Sequence, residues 1–243
     1  MDLSKIVFNS LKYPIKNIVK LPIIFVLFIL IAIIPIGRLL NNNNMVIIGV
    51  IAFFIFILIV PGFLLGIVKK GSNESSLFPS LNLVNSIYDS IRVLILRAVY
   101  MIVPAAVFFI VLSTTGYDSI NMIYDLQISL FVATFGLALL AILITYLIFE
   151  FLLFFAKARL AYLNSLSEAL KIHKVIRDIK NIGIVNIIKW IIVMAVLMVV
   201  ISVVSSAVLV IPYVGFLIYI CIVIPIIESI GNYSLGMLYS NIV

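Results

Sequence analysis

Four charged residues stand where an apolar chain has least reason to keep them. Glu150 and Glu228 lie inside long hydrophobic runs, and Arg97 and Lys189 lie just inside the starts of two others. Acids and cations at a similar depth of a membrane can do two kinds of work. They can form a polar site or a proton- or cation-responsive relay. Alternatively, they pair with one another and fix how helices pack, with the longer side chains reaching toward the interface. A charge at a helix centre costs about 2.5–3.5 kcal/mol on insertion scales, so each needs a partner. At least one of Glu150 and Glu228 is expected to pair with Arg97 or Lys189.

Other chemistry has little to build on. His173 is the sole histidine, so a His-based metal site or a Ser-His-Asp triad has no second imidazole or partner geometry to draw on. Cys221 is the sole cysteine, which excludes an internal disulfide. The sequence has no Gly-rich phosphate loop, and its basic residues lack the interleaved aromatics of a nucleic-acid surface. No catalytic residue, metal ligand or cofactor is predicted, and the expectation is that the chain is not an enzyme.

The elements that position these charges are membrane spans. The 243 residues are 65% hydrophobic and only 10% charged, against about 45–50% and about 25% in soluble domains. Lipid is the solvent that tolerates such a surface. Six apolar stretches, about 21–37, 46–68, 93–113, 129–156, 184–210 and 213–239, reach or approach the roughly 20 residues that cross a hydrocarbon core. A turn at Ile211-Pro212-Tyr213 divides the last two. The Lys-rich N-terminus reads as the start of an uncleaved first helix, because the apolar run behind it has no small-residue cleavage site.

The net charge of +7 is distributed unevenly. Lys5, Lys12, Lys16 and Lys20 precede the first span. Lys69, Lys70 and Arg92 border the second loop, and Lys157, Arg159, Lys171, Lys174, Arg177 and Lys180 fill the fourth. The alternate loops are poor in cations, and one of them carries Asp118 and Asp125. The positive-inside rule then places both termini and the basic loops in the cytoplasm of a multi-pass cell-membrane protein.

The basic segments are patterned. Lys5, Asn9, Lys12, Lys16 and Lys20 make a helical polar stripe, broken or kinked at Pro14. Leu83, Val84, Ile87 and Ile91 share one face of a second segment. In a third, Ser165-Leu-Ser-Glu168 reads as a capping box. Ala169, Ile172, Val175, Ile176, Ile179 and Ile182 then face one way, and His173, Lys174, Arg177, Asp178 and Asn181 the other. Such helices lie in the interface, which assigns Lys12, Lys16, Lys174 and Arg177 to anionic lipid headgroups at the cytoplasmic face. The predicted fold is an all-α polytopic bundle: one domain over 1–243, about six spans as three hairpins, each led by a cytoplasmic amphipathic helix. The units are 1–70, 80–157 and 163–240, with Gly49, Gly136 and Gly215 at matching places. Gly62 and Gly66 form a GxxxG that serves either contact inside the chain or a dimer face.

Pro61-Gly-Phe-Leu-Leu-Gly-Ile-Val-Lys69 is followed by Leu77-Phe-Pro79-Ser-Leu-Asn82, by Asp89-Ser-Ile-Arg92 and by Tyr100 to Pro104. Ala158-Arg159, Glu168-Ala-Leu170 and Val175-Ile-Arg-Asp-Ile179 come later. In this order the residues resemble the mainly archaeal membrane-protein family known as domain of unknown function 4013. Phe63, Asn82 and Ser90 stand where that family has Tyr, Asp and Gly. The resemblance implies a polytopic fold in an archaeal membrane and lends no activity and no site.

Two functional expectations follow. The first is a non-enzymatic scaffold or accessory protein, with basic amphipathic helices on the inner leaflet and a membrane-protein partner. The second is a small transporter, channel or lipid-handling protein that uses Glu150, Glu228, Arg97 and Lys189.

Overall fold

A computed structural model describes the backbone of residues 2–124, 128–212 and 214–240, and the side chains of those residues outside 115–135. Every regular element among the described residues is helical. A short α1 (Leu3–Lys16) leads into α2 (Leu21–Leu39) and α3 (Asn43–Ser72). Next come α4 (Leu83–Tyr124) and α5 (Ile128–Leu163), then α6 (Leu166–Ala169) and α7 (Ile172–Ile182). The chain finishes with α8 (Ile184–Ser206), α9 (Val214–Ile218) and α10 (Ile224–Tyr239), a π-helical turn at Tyr219–Val223 joining the last two. Among the described residues, six segments are long and apolar enough to cross a bilayer: Leu21–Leu39, Asn43–Ser72, Leu83–Thr114, Gly136–Leu163, Ile184–Val210 and Val214–Tyr239. They fit a multi-pass membrane protein.

Two of the three expected leading helices are separate elements, α1 and α7. The second is not. Residues 83–91 are the first turns of α4, a helix of 42 residues that would measure about 63 Å at 1.5 Å per residue. No Pro or Gly interrupts it before Pro104, and its first turns are needed for packing. Gly62 of α3 touches α4 backbone to backbone. A Cβ on Gly62 would fall 2.6 Å from the Ser90 nitrogen and against the Ser86 carbonyl. The Gly62 N–H, next to Pro61, donates to Ser90 Oγ at 2.7 Å. Gly66 faces Pro79 of the same chain, so the whole GxxxG is used inside the chain. The turn between α4 and α5 differs as well: helix runs on through Tyr124, so the backbone of Asp118 is helical. The Asp118 side chain, and Asp125 altogether, lie outside the described residues.

α3 is the centre of the bundle, packed on α2, α4, α5 and α10. Near its end Gly71 meets Gly236 of α10; a Cβ on Gly236 would lie 2.7 Å from the Ser72 nitrogen. The three proposed units differ at their matched glycines. Gly49 abuts the Ile34 backbone and Gly215 abuts the Val208 carbonyl, whereas a Cβ on Gly136 would meet nothing within 4 Å among the described residues. The hairpins differ too: α2 packs closely on α3 and α4 on α5, while α8 and α10 touch sparsely.

The core gathers at one end, which carries α1, α6 and α7 and is here called the basic end. Its fully buried side chains include Ile6 and Tyr13 of α1, Ile67 of α3, Leu96 and Tyr100 of α4, Phe155 and Leu160 of α5, and Leu235 and Leu238 of α10. The far halves of α4, α5 and α8 expose Phe109, Leu143, Val199 and Val203, side chains suited to lipid. Along α8 just Ile187, Trp190 and Met194 are buried.

Candidate functional site

The predicted pairing of an intramembrane acid with a cation is present between α4 and α5. Arg97 Nη2 donates to Glu150 Oε1 at 2.7 Å. Tyr146, one turn earlier on α5, donates its hydroxyl to the same oxygen at 2.9 Å. Arg97 keeps 58% of its side chain exposed and Glu150 30%, so the pair faces outward, at span level, and does not line the bundle interior.

The other two predicted charges do not join it. Glu228 of α10 accepts from Asn232 Nδ2 at 3.0 Å, and that amide also bonds the Glu228 carbonyl at 2.8 Å. Asn232 Oδ1 in turn accepts from Lys157 Nζ at 2.6 Å. Thus Glu228 answers Lys157 through an amide, and Lys157 is a helix residue. α5 runs on to Leu163, so Lys157 and Arg159 belong to its last turns and not to a loop. The turn that ends α5 comes at Asn164, whose φ is +53°. Arg92 of α4 holds that turn, donating to Asn164 Oδ1 and to Asp89 Oδ1, both at 2.9 Å. Lys189 is exposed and makes no ion pair among the described residues.

A larger charged network sits at the basic end. Arg159, 6% exposed, reaches α6 and α7 at once. Its Nη1 donates to Asp178 Oδ2, its Nε to the Glu168 carbonyl at 3.0 Å, and its Nη2 to Glu168 Oε2 at 3.3 Å. Tyr239, at the end of α10, donates its hydroxyl to the same oxygen of Asp178. Asp178 is 4% exposed. It was expected on the polar face of α7. By helical geometry it lies about 40° from Ile182 and about 40° from Lys174, on the border between the apolar and the polar face. That border position is the one signal of burial that the pattern carries.

This network replaces the expected capping box. Ser165 precedes α6 but makes no side-chain cap bond. Glu168 instead binds Lys171 and Lys174, each at 2.6 Å. Those two lysines, with a smaller part from Arg159, pull its carboxyl down to about 2. The helix breaks after Ala169 for a related reason. In a continuous helix the carbonyls of Glu168 and Ala169 would accept from residues 172 and 173. Here Arg159 takes the first and the Tyr100 hydroxyl the second, at 2.9 Å.

Of the cations assigned to headgroups, Lys16 and Arg177 are exposed and make no ion pair among the described residues. Lys12 sits over the Phe8 ring, 3.9 Å from its centroid, and Lys174 is turned inward to Glu168. α1 is fixed by its other face. Tyr13 stacks on Tyr233 of α10 with centroids 4.0 Å apart, and burial pushes its phenol pKa up. Asn17 donates to the Ser76 carbonyl at 2.8 Å and accepts from the Phe78 N–H at 3.0 Å. The Leu77-Phe-Pro79 segment is thereby stitched beneath α1, where Phe78 also meets Phe63 of α3. α1 runs to Lys16 despite Pro14; its break follows two residues later. His173 is exposed on α7.

A family model described as "Protein of unknown function (DUF4013)" matches residues 45–210. The chain belongs to that family. No curated protein matches the chain, and no solved structure matches it. The matched region of the DUF4013 chain runs from the start of α3 to the end of α8. It contains Gly62, Ser90, Arg92, Arg159, Glu168 and Asp178, so most of the contacts that build the basic end fall inside it. Tyr239 and α1 lie outside. Among the described residues, no group of three His, Cys, Asp or Glu side chains is placed to hold a metal ion.

Proposed function

We propose that the chain is a non-enzymatic scaffold or accessory protein of the cell membrane, with the basic end at the cytoplasmic face and α1 and α7 lying along anionic headgroups. The observation that carries this reading is how the two amphipathic helices are held. α1 is stacked on α10 through Tyr13, and α7 is locked to α5 and α10 through Asp178. Each leaves cations outward, Lys12 and Lys16 from α1 and Arg177 from α7. Beside them α1 exposes Phe8 and Ile15, and the turn after it Val19. Exposed apolar side chains interleaved with lysines suit a helix half-sunk in the interface. The acids at span level, Glu150 and Glu228, are both hydrogen-bonded inside the protein, which favours packing over a proton relay. A platform of this kind presents its polar surface to a membrane-protein partner at the inner leaflet.

Reconstitution tests the reading. Amide exchange in α1 and α7 should slow when anionic lipid is added to zwitterionic vesicles, and the slowing should vanish in the Lys12→Gln/Lys16→Gln/Arg177→Gln variant. Proton flux or lipid scrambling above that of empty vesicles, abolished by Glu150→Gln, would sink it in favour of transport. A second reading, lipid handling, is favoured by one observation: a cavity at the α5–α8 seam.

A further inference from the structure

Where α1 meets α10, at the basic end, it covers a small polar cavity of about 190 Å³. Asn9, Tyr13 and Lys16 of α1, Glu74 and Ser76 from the segment after α3, and Tyr233 of α10 line it. Its walls are held in place. Tyr13 stacks on Tyr233, and Asn17 bonds the Ser76 carbonyl and the Phe78 N–H. The volume is below the roughly 300–1,000 Å³ of sites for drug-sized molecules, so one small group would fill it.

The polar groups that meet there are not answered by the protein. Four tyrosines are buried among the described residues. Tyr13, Tyr100 and Tyr239 each donate a hydrogen bond within the chain. Tyr233 is 3% exposed, yet its hydroxyl makes no hydrogen bond among the described residues. That oxygen is not sealed in either. Among the described residues, Trp190 Nε1 is the one buried side-chain polar atom lacking both partner and access, so the Tyr233 hydroxyl opens to the cavity it lines. The Asn9 amide, the Ser76 hydroxyl and the Lys16 ammonium likewise have no side-chain partner among the described residues. Glu74 is already met, by Lys5 Nζ at 2.9 Å. The two lysines and Glu74 therefore sum to +1, and the unanswered charge is that of Lys16.

Amide, hydroxyl and phenol can each donate a hydrogen bond, and an ammonium donates up to three. Four donors of this kind with one spare positive charge suit a tetrahedral oxyanion, which accepts at several oxygens at once; lysine is a common point-charge partner of phosphate. We propose that this cavity binds a small oxyanion of the phosphate class, Lys16 supplying the charge and Tyr233, Asn9 and Ser76 hydrogen bonds. Two sources carry that group, a lipid headgroup and free phosphate. With a lipid source the site rests on the platform reading, because α1 must then lie among headgroups; with a free source it does not.

The test uses the full chain in nonionic detergent. Acetate is replaced stepwise by inorganic phosphate at constant ionic strength, and dihexanoyl phosphatidylglycerol is titrated in parallel. Binding is counted by equilibrium dialysis, and amide exchange is followed over residues 73–78. At least one probe is expected to saturate at one per chain. Exchange over 73–78 should slow about tenfold at nine times the measured Kd, as linkage requires when opening releases the ligand. Tighter binding of the phosphatidylglycerol assigns the site to a headgroup, and tighter binding of phosphate to the free ion. Tyr233→Phe keeps the ring and breaks no bond within the protein; it and Lys16→Gln should each weaken binding about tenfold or more. Lys12→Gln, outside the cavity, should leave it unchanged. If Tyr233→Phe does not melt cooperatively, the contrast between Lys16→Gln and Lys12→Gln decides. Three results overturn the site: no saturable binding of either probe, wild-type affinity in a folded Tyr233→Phe, or equal losses in Lys12→Gln and Lys16→Gln. The last would mean diffuse attraction along α1, which leaves the platform standing. Conversely, phosphate binding without any response of α1 to anionic vesicles would leave the site standing and remove the platform.

Discussion

Removing the carboxylate of Asp178 opens the network that ties α5, α6, α7 and α10. In Asp178→Ala, Arg159 keeps its two bonds to Glu168 but loses the third, and its buried charge keeps one acid at 3.3 Å. Breaking a buried pair by removing one partner costs about 3–5 kcal/mol. The surviving contact to Glu168 places Asp178→Ala at the lower end, about 3 kcal/mol. Arg159→Met is the harsher change. It leaves Asp178 buried with the Tyr239 hydroxyl alone, so its loss belongs near the upper end, about 5 kcal/mol. Tyr239→Phe deletes one hydrogen bond to a charged group, about 1.5–3 kcal/mol. The combined Arg159→Met/Asp178→Leu/Tyr239→Phe chain removes every buried charge in the trio. It should return to within about 2 kcal/mol of the parent, the remainder being the Glu168 carbonyl left without its donor. Denaturant titration in mixed micelles, followed by far-UV circular dichroism and linear extrapolation, measures each value. Two results would refute the reasoning. One is a loss below about 1 kcal/mol for either charge deletion, the value of an exposed pair. The other is a triple variant as unstable as the three single changes added together.

Two further outcomes follow from contacts described above. Gly62→Ala drives a methyl into the Ser86 carbonyl and should cost about 1–3 kcal/mol or more by overpacking. Gly136→Ala, whose added Cβ meets nothing within 4 Å among the described residues, should be neutral or stabilise by up to about 1 kcal/mol; thermal melts of the two distinguish them. Glu168 is held below its ordinary value by Lys171 and Lys174, so its contribution is present above the unfolded value of 4.5 and disappears as pH falls through about 2. Amide exchange across α6 and α7 should therefore stay slow at neutral pH and quicken between pH 4.5 and about 2; Glu168→Gln should remove that pH step.

The spans were legible because lipid imposes a length and a composition, and both are visible in one dimension. The Arg97–Glu150 pair was legible for a similar reason: each charge lies at a comparable depth in neighbouring spans. Depth alone could not separate Glu228 from Lys189, since it carries no information about which helix face meets which. Lys157 and Arg159 look like loop cations by charge, and only the continuation of α5 to Leu163 draws them into the fold. Asp178 shows the opposite case. Its helical angle places it on the border of the apolar face, its charge argues for solvent, and a buried guanidinium from another helix decides the matter. The break between α6 and α7 has no local signal, because its cause lies in the side chains of Arg159 and Tyr100. The fusion of residues 83–91 into α4 likewise rests on Gly62, which is remote in sequence.

The crossing of Gly71 with Gly236 has a consequence for biogenesis. The two residues are 165 positions apart (236 − 71), and at about 5–20 residues per second a ribosome needs roughly 8–33 s to travel between them. Throughout that interval the end of α3 is already synthesised while its closest neighbour does not yet exist. Tyr13 waits longer still for Tyr233. The nascent chain must therefore hold a bare glycine face and an undocked N-terminal helix until its last span arrives. A chain that stops before Ile224 would carry that vacancy permanently, and would be a marked substrate for membrane quality control.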